Sequence, residues 1–277
     1  MDYRHDLQKV VDYIEQNLCG QIDVEACART AGYSKYHFIR IFRYFFGCTP
    51  ADYIRKRRLS EIADQMDHYE GSIADLAFQY GFNSKENFIR AFKSEHHILP
   101  TEYRKAKNCL RLYPKVEMNF DMSLPDPVIQ KRESLFLTVY KSNENVPHRF
   151  WNQYNCQKLS EKLSGGAVVM DYGVSDWNAK EEKLFYYIGV ETEQARGDIR
   201  GTMKLIIPGG TYAVFTTPKA SHFDFVNTIQ NTWRYINEVW RPLNSTQCVP
   251  GYEFECYVEQ SRTYTEKIFI PVREELP

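Results

Sequence analysis

A stretch near the start of the chain occurs twice. Residues 34–43 read SKYHFIRIFR and residues 84–93 read SKENFIRAFK, an offset of 50 positions. The same offset pairs Pro50 with Pro100 and Tyr53 with Tyr103; upstream an offset of 49 pairs Ala28 with Ala77 and Gly32 with Gly81. A repeat of this length is one supersecondary unit used twice. The local signals say which unit. Leu7, Val10, Val11, Ile14 and Leu18 mark one face of a first helix, as the 3.6-residue period requires. Asp23 caps a second helix, Ala31-Gly32-Tyr33 is a tight turn, and Ser34 caps a third helix over 34–46. Thr49-Pro50 opens a long fourth helix, with a cap and a proline at its first position. Ser72 then caps a helix over 73–80, Tyr80-Gly81-Phe82 turns, a sixth helix runs from Ser84 to His96, and Pro100 opens a last one. Helix, glycine turn and capped helix form a helix-turn-helix, present twice.

At 100° per residue, Phe38, Ile41, Phe42 and Phe45 gather on one side of the third helix, with Tyr36, Arg40 and Arg43 opposite. In the second copy Phe88, Ala91 and Phe92 face inward, and Glu86, Arg90 and Lys93 outward. Each polar face centres on an arginine, whose fork matches guanine O6 and N7 in the major groove. Lys35 and Lys85, in the first turns, suit phosphates or groove edges. Double-stranded DNA is the expected partner of this half. The run Arg55-Lys56-Arg57-Arg58 on the linking helix fits a solvated or salt-bridged face as well as it fits phosphates.

These residues carry a resemblance. Gly81-Phe82-Asn83-Ser84-Lys85-Glu86-Asn87-Phe88-Ile89-Arg90-Ala91-Phe92-Lys93, followed by Pro100-Thr101-Glu102-Tyr103-Arg104, resembles the signature of the AraC/XylS-family transcriptional regulators. The resemblance covers residues 5–107 and implies two helix-turn-helix units entering successive major grooves on one DNA face. It places Tyr36 and Arg40 in the first unit, and Lys85, Glu86 and Arg90 in the second, where that family reads bases. The family usually has Gly where His97 stands, and Ser or Thr where Leu99 stands.

Length and composition bound the rest. At 277 residues, with 43% hydrophobic and 26% charged residues, the chain is globular and long enough for two domains. We expect a DNA-binding domain over 1–110, a linker over 111–125 holding Pro114 and Pro125, and a second domain over 126–277. Net charge is −1, split as +3 over residues 1–115 and −4 over the remainder. A wholly basic binder is excluded, and the position of charge matters more than its total. Seven scattered cysteines form no C-x-x-C, and the seven histidines form no H-E-x-x-H. No metal site, cofactor or catalytic residue is expected. No apolar run approaches the span of a membrane and the N-terminus does not read as a signal peptide, so a cytoplasmic protein with reduced thiols is expected.

Beyond the linker the hydrophobic period falls to two. Leu135, Leu137 and Val139 alternate as a half-buried strand; a helix over 147–164 ends at Gly165-Gly166; strands follow at 167–174 and 184–193. The order recurs as a strand at 212–215, a helix over 222–240, and strands at 252–259 and 267–273. Two strand–helix–strand–strand halves imply an α+β duplication with a groove between them. The fold class is therefore multidomain: an all-α double helix-turn-helix domain followed by this α+β domain.

The stretches 185–191, 207–215, 252–257 and 268–272 are similar to GyrI-like effector-binding domains, and the domain order resembles that of the Rob-type activators. The resemblance implies activation through recruitment of RNA polymerase, modulated by a small hydrophobic or cationic effector. In the related domains the glutamate of F-E-x-Y sits in an aromatic pocket, which here is Glu255, with Glu253 and Tyr257 on its strand face and Phe254, Cys256 and Val258 on the other. Tyr172, Trp177 and Tyr187 are the candidate pocket walls. Two rival functions remain at this level. Some GyrI-like domains hydrolyse electrophilic ligands, and others sequester a protein partner with no ligand.

Overall fold

The computed structural model describes residues 3–66, 68–106, 112–118, 124–142, 147–178, 183–220, 225–258 and 264–274. The chain divides into two compact units, residues 1–121 and 122–277.

Unit 1 is helical: α1 (Tyr3–Gln16), α2 (Val24–Thr30), α3 (Lys35–Phe46), α4 (Pro50–Gln65), α5 (Ile73–Gln79), α6 (Lys85–His96) and α7 (Pro100–Ala106). The caps fall where the sequence puts them. Asp23, Ser34, Thr49, Ser72 and Ser84 each accept a hydrogen bond from a first-turn N–H. The apolar stripe of α1 is fully buried, as are Phe38, Phe42, Phe88 and Phe92. Two positions break the symmetry of the repeat. Gly47 closes α3 in the left-handed region at φ 66°, and His97 does the same for α6 at φ 58°. Leu99 offers no side-chain cap to α7, yet its own N–H donates to Glu102 Oε2 at 3.0 Å. The return half of a capping box thus survives without the forward half.

The expected linker is only partly a linker. Residues 112–118 lie against α1 and α4, with Tyr113, Val116 and Met118 buried. The Tyr113 N–H donates to Ser60 Oγ at 2.8 Å, Met118 N–H to Gln8 Oε1 at 2.7 Å and Val116 N–H to Tyr53 Oη at 3.3 Å. Arg57 locks the strap: it donates to the Tyr113 carbonyl at 2.6 Å and pairs with Glu15 at 2.8 Å and Glu61 at 2.6 Å. Extended backbone with its N–H groups taken by side chains leaves no period for a sequence to show.

Unit 2 holds β1 (Val128–Arg132), β2 (Leu135–Lys141), α8 (Pro147–Cys156), α9 (Leu159–Ser164), β3 (Asp171–Asn178), β4 (Lys183–Glu191), β5 (Met203–Ile207), β6 (Gly210–Thr216), α10 (Phe225–Tyr235), β7 (Glu253–Tyr257) and β8 (Lys267–Val272). A π-helical turn, Ile236–Trp240, prolongs α10. All strand pairs are antiparallel, in one eight-stranded sheet of order β1-β6-β8-β7-β3-β4-β2-β5. The duplication is real but each half has one more strand than the sequence shows. β1 and β5 open the two halves and cross to the opposite one, β1 pairing β6 and β5 pairing β2. The halves meet along β3 and β7. The expected helix over 147–164 is two helices, because Lys158 takes a left-handed conformation at φ 53°.

Candidate functional site

In unit 1 the repeated helices present their polar faces to solvent. Tyr36 is 80% exposed, and Lys35, Arg40 and Arg43 are exposed with it. Lys85, Glu86, Arg90 and Lys93 are exposed on α6. The two arginines are held similarly by the side chain three residues earlier. Arg40 Nη2 lies 3.4 Å from His37 Nδ1, and Arg90 Nη2 donates to Asn87 Oδ1 at 2.5 Å. Lys35 pairs loosely with Glu25 at 3.6 Å. All eight candidate DNA-reading residues therefore lie on exposed helix faces.

The basic run on α4 separates into three roles. Arg57 is buried in the strap network. Arg58 donates to the Leu18 and Gly20 carbonyls at 2.9 and 2.5 Å, tying α4 to the end of α1. Arg55, exposed and paired with Asp52 at 2.9 Å, lines a depression of about 520 Å³ together with Asn83, Asn87, Arg90 and Ser94. Sequence reasoning missed Tyr44, 83% exposed. Its i, i+4, i+8 spacing continues the stripe of Tyr36 and Arg40 and was the signal available.

In unit 2 the register decides which side chains meet. Gly173 pairs with Glu255, and Ser175 pairs with both Glu253 and Tyr186. Glu255, Tyr257 and Tyr186 therefore share the face covered by α8 and α10, as strand alternation demands. There Glu255 is 6% exposed. Its Oε1 accepts from Trp151 Nε1 at 3.0 Å and from Tyr186 Oη at 2.5 Å, and its Oε2 from Trp233 Nε1 at 3.2 Å. Trp151 comes from α8, Tyr186 from β4 and Trp233 from α10, so both halves contribute. Trp151 stacks obliquely on Tyr257 with ring centroids 5.1 Å apart and meets Tyr154 edge-on at 5.7 Å. Gly173 is required here: a Cβ would overlap Tyr186 Oη and press on the Trp151 ring and Glu255 Oε1.

A second buried carboxylate lies on the same face. Asp171 accepts from Tyr154 Oη at 2.7 Å and Ser160 Oγ at 3.0 Å. Burial, then the Asp171 charge, push the Tyr154 phenol well above its ordinary pKa, so it stays a donor.

Two of the expected wall residues belong elsewhere. Tyr172 and Tyr187 pack with Phe254 and Cys256 on the opposite face of the sheet. Tyr172 donates to Glu191 Oε1 at 2.5 Å, and burial followed by that bond raises its pKa. The error is one of parity, since a one-residue step along a strand reverses the face. In Tyr186-Tyr187 the tyrosine on the Glu255 face is the first. Trp177, 61% exposed, lies near the end of β3, away from Glu255. The residues that build the cradle, Trp151, Tyr186 and Trp233, were legible only as core aromatics.

Among the described residues, no cluster of His, Cys, Asp or Glu could hold a metal, and no helix is long and apolar enough to cross a membrane.

Each unit matches a known protein family. Residues 27–106 match the helix-turn-helix domain family, and residues 129–272, more than half the chain, match the integron-associated effector binding protein family. The chain is 43% identical over 84 residues to the probable transcription factor PqrA of Proteus vulgaris, covering 30% of this chain and 69% of that one. It is 26% identical over 235 residues to the transcriptional regulator Rob of Salmonella typhimurium, covering 78% of this chain and 79% of that one. It is 35% identical over 98 residues to the multiple antibiotic resistance protein MarA of Salmonella typhimurium, covering 35% of this chain and 77% of that one. The chain thus belongs to the AraC family of DNA-binding transcriptional regulators, in the branch that carries a C-terminal GyrI-like effector-binding domain.

Proposed function

We propose that this regulator is an activator in the cytoplasm, that α3 and α6 read promoter DNA, and that the Glu255 cradle takes a lipophilic cation as effector. On DNA, Arg40 and Arg90 are the guanine readers, Tyr36 and Glu86 contact neighbouring bases, and Lys35, Lys85, Arg43 and Lys93 serve the backbone and groove edges. Recruitment of RNA polymerase follows from the family resemblance.

One observation carries the effector assignment. Glu255 is buried, and among the described residues its hydrogen-bond donors are two indole N–H groups and a phenol, all neutral. A buried carboxylate whose partners among the described residues are all neutral donors is matched in charge by an entering cation. The rings around it add cation–π attraction. A neutral ligand gains only from the rings. Trp233 gives the longest of the three bonds and is only half-buried, so its indole is the donor an entering cation displaces.

Calorimetry on the full chain tests this with a lipophilic quaternary ammonium ion and its neutral carbon isostere. Glu255→Gln keeps the shape and removes the charge, and it should weaken the cation at least tenfold while leaving the isostere within about twofold. An equal loss for both ligands would mean that Glu255 only packs. Absence of any cation binding by the wild type would remove the effector assignment.

A further inference from the structure

Each recognition helix carries a half-exposed isoleucine directly before its arginine. Phe38-Ile39-Arg40 and Phe88-Ile89-Arg90 are identical triplets at matched places in the two copies. Phe38 and Phe88 are buried, and Arg40 and Arg90 are exposed. Ile39 and Ile89 are half-buried in both units. Of the other exposed positions, Lys35 and Lys85 are identical, whereas Tyr36 against Glu86, Arg43 against Lys93 and Tyr44 against Ser94 differ. Apolar side chains on an exposed rim are ordinary one at a time, but this pair recurs together with the exposed Lys35/Lys85 and Arg40/Arg90 pairs, while the remaining exposed neighbours differ.

The wheel places them within reach of base edges. At 100° per residue, Ile39 lies about 60° from Tyr36 and about 40° from Arg43, and Ile89 stands likewise beside Glu86 and Lys93. That is the border between the polar arc and the core. An isoleucine there has no polar atom to offer a base. The one apolar feature on the major-groove edge of a base pair is the C5-methyl group of thymine. We infer that Ile39 and Ile89 each read a thymine methyl beside the guanine taken by the neighbouring arginine. The operator is then a direct repeat in which both half-sites contain G and T. The half-sites differ at the base met by Tyr36 or Glu86, and the second of these suits the N4 amino group of cytosine.

The inference rests on the DNA-reading assignment above, and the test separates the two. The full-length protein selects duplexes from a random pool, and each thymine of the selected duplex is replaced singly by deoxyuridine, which removes only the methyl group. Two thymines, about one helical turn apart, should each lose about fourfold in affinity when demethylated, the transfer value of one buried methyl. In Ile39→Ala one of these losses should vanish and in Ile89→Ala the other. Wild-type affinity that ignores every deoxyuridine overturns the inference while leaving the DNA assignment standing, and this arm needs no variant to fold. Deoxyuridine losses that persist unchanged in both variants overturn it too. Failure to enrich any duplex would sink the DNA assignment and the inference together.

Discussion

His97 ends α6 at φ 58°, where its counterpart Gly47 ends α3 at φ 66°. A residue with a Cβ is strained in that region by roughly 1–2 kcal/mol, and glycine is not. The backbone bond is the same in both, from the cap N–H to the carbonyl four residues back, Arg43 or Lys93. His97→Gly should therefore stabilise the protein by about 1 kcal/mol, read as a higher denaturation midpoint at unchanged m-value. Gly47→Ala should cost a similar amount. The resemblance marked His97 as a departure from the usual glycine, and α6 nevertheless keeps its left-handed end with the histidine in place. The bond from the Leu99 N–H to Glu102 leaves only half of a capping-box pattern in the sequence, a carboxylate three residues on with no Ser or Thr at the cap. In unit 2 the same scale explains the misplaced tyrosines. Glu255 was assigned to the right face because Phe254 and Cys256 fix the alternation around it. Tyr186 and Tyr187 sit in an apolar run, Leu184–Val190, interrupted only by Gly189, and such a run does not reveal its parity.

At the scale of elements, the helices of unit 1 were legible almost throughout, because α2 to α6 each start on a side-chain cap and the buried stripes keep the helical period. The strap was not. Residues 112–118 are held by side chains distant in sequence, such as Ser60, Tyr53 and Gln8, so no local pattern announces them. The same holds for β1 and β5. Each is a short edge strand whose partner lies in the other half. β1 is exposed along most of its length, which removes the alternation that identified β2. Arg57 is the element-scale prediction. It bonds α1 through Glu15, α4 through Glu61 and the strap through the Tyr113 carbonyl. Removing one partner of a buried ion pair costs about 3–5 kcal/mol because the others are left unmatched. Arg57→Met should lower the stability of unit 1 by about 3 kcal/mol in denaturant unfolding. Arg55→Met, at an exposed pair, should change it by under about 1 kcal/mol. Equal effects would mean that the network is decoration on a domain held by its core alone.

At the scale of the whole molecule, both units are duplications, and each uses its two copies for one purpose. Unit 1 repeats a helix that ends in an exposed arginine face. Unit 2 repeats a strand–strand–helix–strand–strand half and builds the Glu255 cradle from both, with Trp151 and Tyr186 from the first half and Trp233 from the second. In unit 1 we propose two reading heads on one chain, each with its own guanine reader. Hydroxyl-radical footprinting on a selected duplex tests this central claim most directly, with wild type, Arg40→Ala and Arg90→Ala compared at physiological salt. Two protected tracts on one face of the DNA, about 10 bp apart, are predicted. Each variant should lose about 1–3 kcal/mol of specific affinity, Arg40→Ala with weakened protection in one tract and Arg90→Ala in the other. A single protected tract, or two variants that weaken the same tract, would contradict the account.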